Sequence, residues 1–299
     1  MSSVVCQLPK AGLGNQLFPL MKAHVFARMN GLPLLVTGYR QIKIGPYLRG
    51  ERSKRSYRNY FTFEKNLFGA WLDQQKINRM VNMLDEPAIR KLENLSGTNH
   101  YRFNKIPHWS NFFEGLIENR ALTLQLFDEI LSNNVKREVA ALPSPVIGVH
   151  VRLGDFRKLA GDEEFSKVGA VRTPEKYFID TIQAIRNVHG SDLPVSVFTD
   201  GYRHELIELF KLPNVHLVEG NSDMVDLLLL SKSKIIVASA GSTFSYWAGF
   251  LSNAPLILHP DHLHKNLRSL PGCALYEGPM DPTNKLLIES IKSIISTYE

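Results

Sequence analysis

Apolar positions in this chain fall into two patterns that alternate. One is a short continuous run; the other is a longer stretch in which apolar residues recur every three or four positions. The opening VVCQL run, Val4–Leu8, predicts a buried strand. Gly12 and Gly14 then punctuate a turn. After Asn15, predicted as a helix cap, Leu17, Leu20, Met21, Val25 and Met29 recur at helical spacing. Gly31 ends that helix and LPLLV is the next strand. Strand, helix and strand make a βαβ unit, which implies a parallel sheet covered by helices.

The pattern lapses between about Phe61 and Val139, which reads as helical or irregular. Within it IPHWSNFFEGLIENR reads as aromatic core, and Leu124–Val139 as one helix stopped by the prolines of LPSP. That proline pair sets the expected domain boundary, 1–143 against 144–299. Beyond it the alternation resumes. VIGVHV, PVSVFTD, VHLVE, KIIVAS and PLILH read as strands. TPEKYFIDTIQAIRN reads as a helix with Thr173 as cap and Pro174 first; RHELIELF, DMVDLLLLSKS, STFSYWAGFLSN and the C-terminal TNKLLIESIKSIISTYE read as the other helices. The expected fold class is α/β, with a doubly wound second domain whose ligands bind at the carboxyl ends of its strands.

Composition narrows the setting. At 44% hydrophobic and 21% charged, the 299 residues are of ordinary globular composition. No apolar run approaches the roughly 20 residues that span a bilayer, and the N-terminus reads as carrying no signal peptide. Two cysteines, Cys6 and Cys273, form neither a disulfide framework nor a metal-ligand spacing, so a cytoplasmic location is expected. Residues 1–145 hold 20 Lys and Arg against 11 Asp and Glu, a net +9, whereas residues 146–299 are net −3. Much of the excess lies in RGERSKRSYRNY, where Arg49, Arg52, Lys54, Arg55 and Arg58 read as a solvated face, or as a site for an anionic partner: a phosphorylated ligand, a membrane surface or nucleic acid. They are expected in the first half, outside any nucleotide pocket, as plain solvated charge or as a peripheral docking patch for anionic membrane. The stretch is too short and too poor in aromatics to be a nucleic-acid module.

The strand ends of the second half gather the chemistry. The first ends in GVHVRLGD, with His150, Arg152 and Gly154 on one side of the period-two pattern and Val149, Val151 and Leu153 on the other; Asp155 follows. The second ends in Thr199, Asp200 and Gly201, and another in Ala238–Phe244. Gly241 frees the backbone to turn, and Ser242 or Thr243 would cap the next helix, whose N-terminus suits a phosphate. An arginine opposite it completes a pyrophosphate clamp. His150 remains open between general base, hydrogen-bond donor to the leaving group and core histidine. Asp155 orients Arg152 or caps the turn. No D-x-D stands at a strand end and GDEEF reads as a solvated loop, so no divalent metal and no other cofactor is expected.

HVRLGD, VFTDG and DLLLLSKSKIIVASAGSTFSYWAGFL, with AGLGNQLFPLMKAHVFARMNG at the start, resemble in order and spacing the blocks of glycosyltransferase family 11, the α-1,2-fucosyltransferases. The resemblance implies a GT-B-type fold, two Rossmann-like domains facing across a cleft. It implies transfer of L-fucose from GDP-β-L-fucose, with inversion and without metal, to a sugar hydroxyl of a glycan acceptor, α-1,2 to a galactoside. Carried over, it makes Arg152 the pyrophosphate arginine, with His150 and Asp155 beside it as the catalytic block. It makes Asp200, Asp226, Ser242, Thr243 and Phe244 donor-binding residues, and brings Gly12, Gly14, Asn15 and Gln16 to the cleft. Two positions depart from the family: Leu153 where a second arginine is common, and Gly201 where a paired acid is common. The alternatives are a transferase using another GDP-sugar, or a non-catalytic nucleotide- or nucleic-acid-binding α/β protein. A dehydrogenase or epimerase would need a third glycine that AGLGNQ lacks.

Overall fold

The computed structural model describes residues 2–41, 44–48, 50–52, 54–55, 57–89, 98–262, 266–268 and 274–295. Arg49 and Cys273 lie outside them. In chain order the elements are β1 (Ser3–Gln7), α1 (Leu13–Met29), β2 (Leu34–Thr37), α2 (Gly45–Leu48), α3 (Leu67–Asn78), β3 (Met83–Asp85), α4 (Glu86–Ile89), β4 (His100–Phe103), α5 (Arg120–Ile130) and α6 (Asn133–Ala140). Then come β5 (Ile147–Val151), α7 (Glu175–His189), β6 (Val195–Thr199), β7 (Val215–Leu217), α8 (Asp223–Ser231), β8 (Ile235–Val237), α9 (Thr243–Leu251), β9 (Leu256–Ile257), β10 (Glu277–Gly278) and α10 (Lys285–Lys292).

The chain divides into two compact units. One is Met1–Lys43 with Ser56–Arg137; the other is Ile44–Arg55 with Glu138–Glu299. The first unit holds a four-stranded parallel sheet in the order β2-β1-β4-β3. Two of its strands come from the middle region, where the apolar pattern predicts none: MLD and HYRF are too short and too polar to signal themselves, and pairing of HYRF with β1, and of MLD with HYRF, makes them strands. Phe112, Phe113 and Leu116 are buried there, and Phe18 of α1 stacks on Phe112 at 5.4 Å, so the second part of the aromatic stretch is core, whereas Ile106 and Trp109 before it are exposed. The single helix expected over Leu124–Val139 is two, because Leu131 takes an extended conformation and bridges to Phe61.

The second unit is built on a six-stranded parallel sheet, β10-β9-β8-β5-β6-β7. From β5 the chain winds through β6 to β7, then restarts at β8 on the other side and continues to β10. The switch point therefore falls between β5 and β8. Alternation along β5 decides its two faces: Ile147, Val149, Val151 and Leu153 join the core with Phe178, Ile182 and Ile185 of α7 and Leu287 and Ile291 of α10. The opposite face is packed so closely that a Cβ on Gly148 would come within 2.1 Å of Ser233 Oγ and 2.8 Å of Leu230 Cδ1. RHELIELF does not form the expected α-helix; it makes two 3-10 turns, Arg203–Glu205 and Leu209–Lys211.

Among the described residues no helix is long and apolar enough to cross a membrane, and no group of three His, Cys, Asp or Glu side chains is placed to hold a metal ion.

Candidate functional site

The carboxyl ends of β5, β6 and β8 bring the sequence-predicted residues of the second unit together. Ser239, two residues past β8, ties the switch point shut. Its hydroxyl donates to His150 O at 2.8 Å and accepts the Arg152 N–H at 2.9 Å. From β6, Asp200 reaches under the loop after β5: its Oδ1 accepts the N–H groups of Leu153 (2.8 Å) and Gly154 (3.1 Å). Its Oδ2 makes ion pairs rather than aligned hydrogen bonds, at 2.6 Å from Arg152 Nη1 and 3.5 Å from Arg55 Nη2. Arg152 Nη2 donates to Asp155 Oδ1 at 2.5 Å, and its guanidinium lies 5.6 Å from the Phe156 ring centre. Two carboxylates from different strand ends thus grip one arginine. A guanidinium has five N–H groups, so these two contacts leave others to face a ligand.

Arg55 was read from sequence as part of a solvated or lipid-facing patch, and the structure overturns that. Residues 44–55 belong to the second unit, and the Arg55 side chain is buried against the same strand ends. It donates to Asp155 Oδ2 at 3.1 Å and pairs with Glu51 Oε2 at 2.6 Å. Arg52 pairs with Glu219 at 3.0 Å and donates to Val218 O after β7. The contact with Glu51 is local, but no pattern within the segment could have shown the others, since Asp155, Val218 and Glu219 lie 100 or more residues away.

The helix after β8 presents its N-terminus to this edge. Gly241 turns the chain at a φ of 67°, in the left-handed region, and its N–H donates to Tyr246 Oη at 2.7 Å. Ser242 occupies the N-cap position but makes no capping bond, contrary to expectation. The N–H groups of Thr243, Phe244 and Ser245 consequently have no acceptor among the described residues. Thr173 does not cap α7, where Pro174 holds that position; its hydroxyl instead accepts the Ala240 N–H at 2.9 Å and fixes the turn.

His150 is stacked on Phe244, ring centres 4.8 Å apart, with Nδ1 buried and unpartnered. Burial lowers its pKa to about 3, with the Arg152 charge adding to that and Asp200 opposing, so the imidazole is neutral. Burial pushes the Asp155 carboxyl up, but the Arg55 hydrogen bond and the charges of Arg152 and Arg55 outweigh it and hold the group at about 2. Asp226 lies in the first turn of α8, capped by Ser222. Burial raises it to about 6, Asn221 and Arg52 acting in the other direction.

In the first unit Gly12, not Asn15, is the N-cap of α1; Gly14 and Asn15 fall inside the helix. Gln16 is buried and works within its own unit, its Nε2 donating to Pro9 O (3.0 Å), Ala11 O (3.3 Å) and Gln41 Oε1 (3.1 Å). It braces the glycine turn. Leu153 and Gly201, the two departures, touch each other: a Cβ on Gly201 would sit 2.3 Å from Leu153 Cδ1. A larger residue at 201 is incompatible with the leucine, so the two changes form one packed pair.

Two parallel-sheet units, the second with an arginine and unpaired helix N–H groups at its topological switch point, are the α/β architecture of the GT-B class of glycosyltransferases. The comparisons agree. The chain matches glycosyl transferase family 11 over residues 71–258 and belongs to that family. Among solved structures it resembles the NodZ α-1,6-fucosyltransferase co-crystallized with GDP, with 18% identity, TM-score 0.53, and coverage of 85% of this chain and 93% of that one. It also resembles fucosyltransferase NodZ from Bradyrhizobium, with 15% identity, TM-score 0.51, and coverage of 85% and 94%. At these identities the likeness is one of fold. No curated protein matches the chain significantly.

Proposed function

We propose that the protein is an inverting fucosyltransferase that moves L-fucose from GDP-β-L-fucose to a sugar hydroxyl, α-1,2 to a galactoside. The observation that carries the donor reading is Arg152, pinned by Asp155 and Asp200 at the switch point from which α9 offers its unpaired N–H groups. Both features favour the diphosphate of a leaving GDP, and preorganised donors of this kind contribute about 3–4 kcal/mol each to transition-state stabilisation. The α-1,2 linkage rests on the H-x-R-x-G-D and G-L-G-N-Q blocks; NodZ, whose fold it shares, is named for α-1,6 transfer.

Within the catalytic block the roles are electrostatic. A histidine held neutral at about 3 and a carboxylate held at about 2 are both poor acceptors of the acceptor's proton near neutrality. The block therefore steadies the leaving diphosphate, and the base comes from elsewhere. GDP-fucose turnover against a panel of galactosides, read by product mass and linkage analysis, tests the reading. Fucose on O2 of galactose supports it. GDP binding without transfer to any sugar makes the chain a non-catalytic binder instead.

We further propose that no divalent cation is needed. The two carboxylates that hold Arg152, Asp155 and Asp200, are themselves engaged by arginines. Turnover is expected to persist in excess EDTA; loss of activity restored by Mg²⁺ or Mn²⁺ would reject metal independence. The chain's two cysteines support a cytoplasmic location.

Peripheral membrane contact is proposed at α3 rather than through the arginine stretch. Leu67, Phe68, Trp71 and Leu72 are 73, 66, 55 and 39% exposed on consecutive turns, flanked by exposed Lys65 and Lys76, which share the buried Asp73 carboxylate and keep one positive charge between the three groups. An apolar aromatic face with basic flanks suits an anionic interface. Wild type is expected to pellet with phosphatidylserine vesicles at low salt, and the Phe68→Ser/Trp71→Ser variant to stay in solution with turnover on a soluble acceptor intact. Wild type remaining in the supernatant at low salt would remove the proposal.

A further inference from the structure

Arg55 is joined to the β5 and β6 ends more firmly than its distance in sequence suggests. Its guanidinium meets Glu51, Asp155 and Asp200. It also lies on the backbone of Gly154, where a Cβ would come within 2.8 Å of Nη2 and 2.3 Å of Asp200 Oδ2. The residue adopts φ 52°, a left-handed conformation that non-glycine residues hold only when surrounding contacts impose it. Tyr202, just after β6, donates its hydroxyl to Gly50 O at 3.0 Å and anchors the same segment.

We propose that Arg55 is a positioning residue of the donor site, and that this is why residues 44–55 fold onto the second unit. It holds Asp155 and Asp200 oriented and charge-compensated, so that both can grip Arg152 without cancelling its attraction for a diphosphate. Charge makes the case. Around Arg152 stand three carboxylates, Glu51, Asp155 and Asp200, and Arg55 is the second cation among them. With Arg55 the five groups sum to −1; the four that remain without it sum to −2. The partly buried setting screens such a difference little. Leu153, at the position after Arg152, is committed to the core, so a second cation for this edge has to come from outside the strand, and Arg55 supplies it.

The proposal rests on the donor-site reading, and the test separates the two. GDP and inorganic pyrophosphate are titrated calorimetrically into wild type, Arg152→Ala, Arg55→Met, Arg55→Lys and Glu51→Gln, with thermal melts and steady-state kinetics on each. Arg55→Met is expected to weaken GDP at least tenfold and to raise the donor KM more than it lowers kcat. Arg55→Lys keeps the charge without the fork and should fall between. Glu51→Gln removes a negative charge and should bind GDP as well as wild type or more tightly, even where its melting temperature falls. A mere strut would behave differently: Arg55→Met and Glu51→Gln would weaken GDP together, in step with lost stability, and that overturns the proposal. So does an Arg55→Met variant that binds GDP normally while Arg152→Ala does not. Should Arg55→Met fail to fold, the Lys and Gln variants decide by the same opposite signs. Wild type that binds neither GDP nor pyrophosphate defeats the donor-site reading and this proposal together.

Discussion

Arg152→Ala is expected to abolish fucosyl transfer and to weaken GDP binding at least tenfold, about 1.5–3 kcal/mol for the loss of a charged hydrogen-bonding partner. The residue follows directly on β5, and its backbone is fixed by Ser239 while its side chain is held by Asp155 and Asp200. Little of its side chain is exposed, 17%, so the lost contact is not readily replaced by water. Arg152→Lys is expected to fail as well, because a point charge cannot span two carboxylates and still present N–H groups to phosphate. Calorimetric GDP titration and donor turnover, with melting curves to confirm folding, check both variants. Near-normal turnover of the alanine variant would move the donor site elsewhere.

Asp200→Ala is expected to cost about 3–5 kcal/mol, the scale for removing one partner from a buried ion pair. The carboxylate is 9% exposed and has four attachments: the Leu153 and Gly154 N–H groups, Arg152 and Arg55. Alanine leaves two buried donors and two largely buried cations short of a partner. Asp200→Asn keeps an acceptor for the loop N–H groups and loses the charge, so it should destabilise less than alanine. For a unit of this size the alanine variant's melting temperature should drop by roughly 10 °C, read by scanning calorimetry. A drop as small as that of an exposed substitution would mean that Asp200 does not hold the loop.

The second unit was largely legible because its apolar periods are strong. Runs such as VIGVHV and KIIVAS signal buried parallel strands, and the helices between them carry caps or helical spacing. The strand-end rule then led to His150, Arg152, Asp200 and Ser242 together. Errors collected where a local signal had a tertiary competitor. Thr173 precedes a proline as a cap would, yet its hydroxyl is taken by the Ala240 N–H. Asn15 has the chemistry of a cap, yet α1 starts two residues earlier. MLD and HYRF lack strand character and become strands because the edge of β1 that faces away from β2 takes up β4, and β4 in turn takes up β3.

By itself the sequence determined the α/β class, the parallel sheets, the arginine at the end of β5 and the glycine turn before α9. These depend on side-chain periodicity and on backbone needs confined to a few neighbouring residues. Only the tertiary structure decided where Arg55 goes, that Leu153 and Gly201 pack as a pair, and that His150 is a neutral buried ring. Each depends on which groups meet across 40 to 150 residues of chain. Ionic pairing and desolvation are set by those neighbours, which no local spacing encodes.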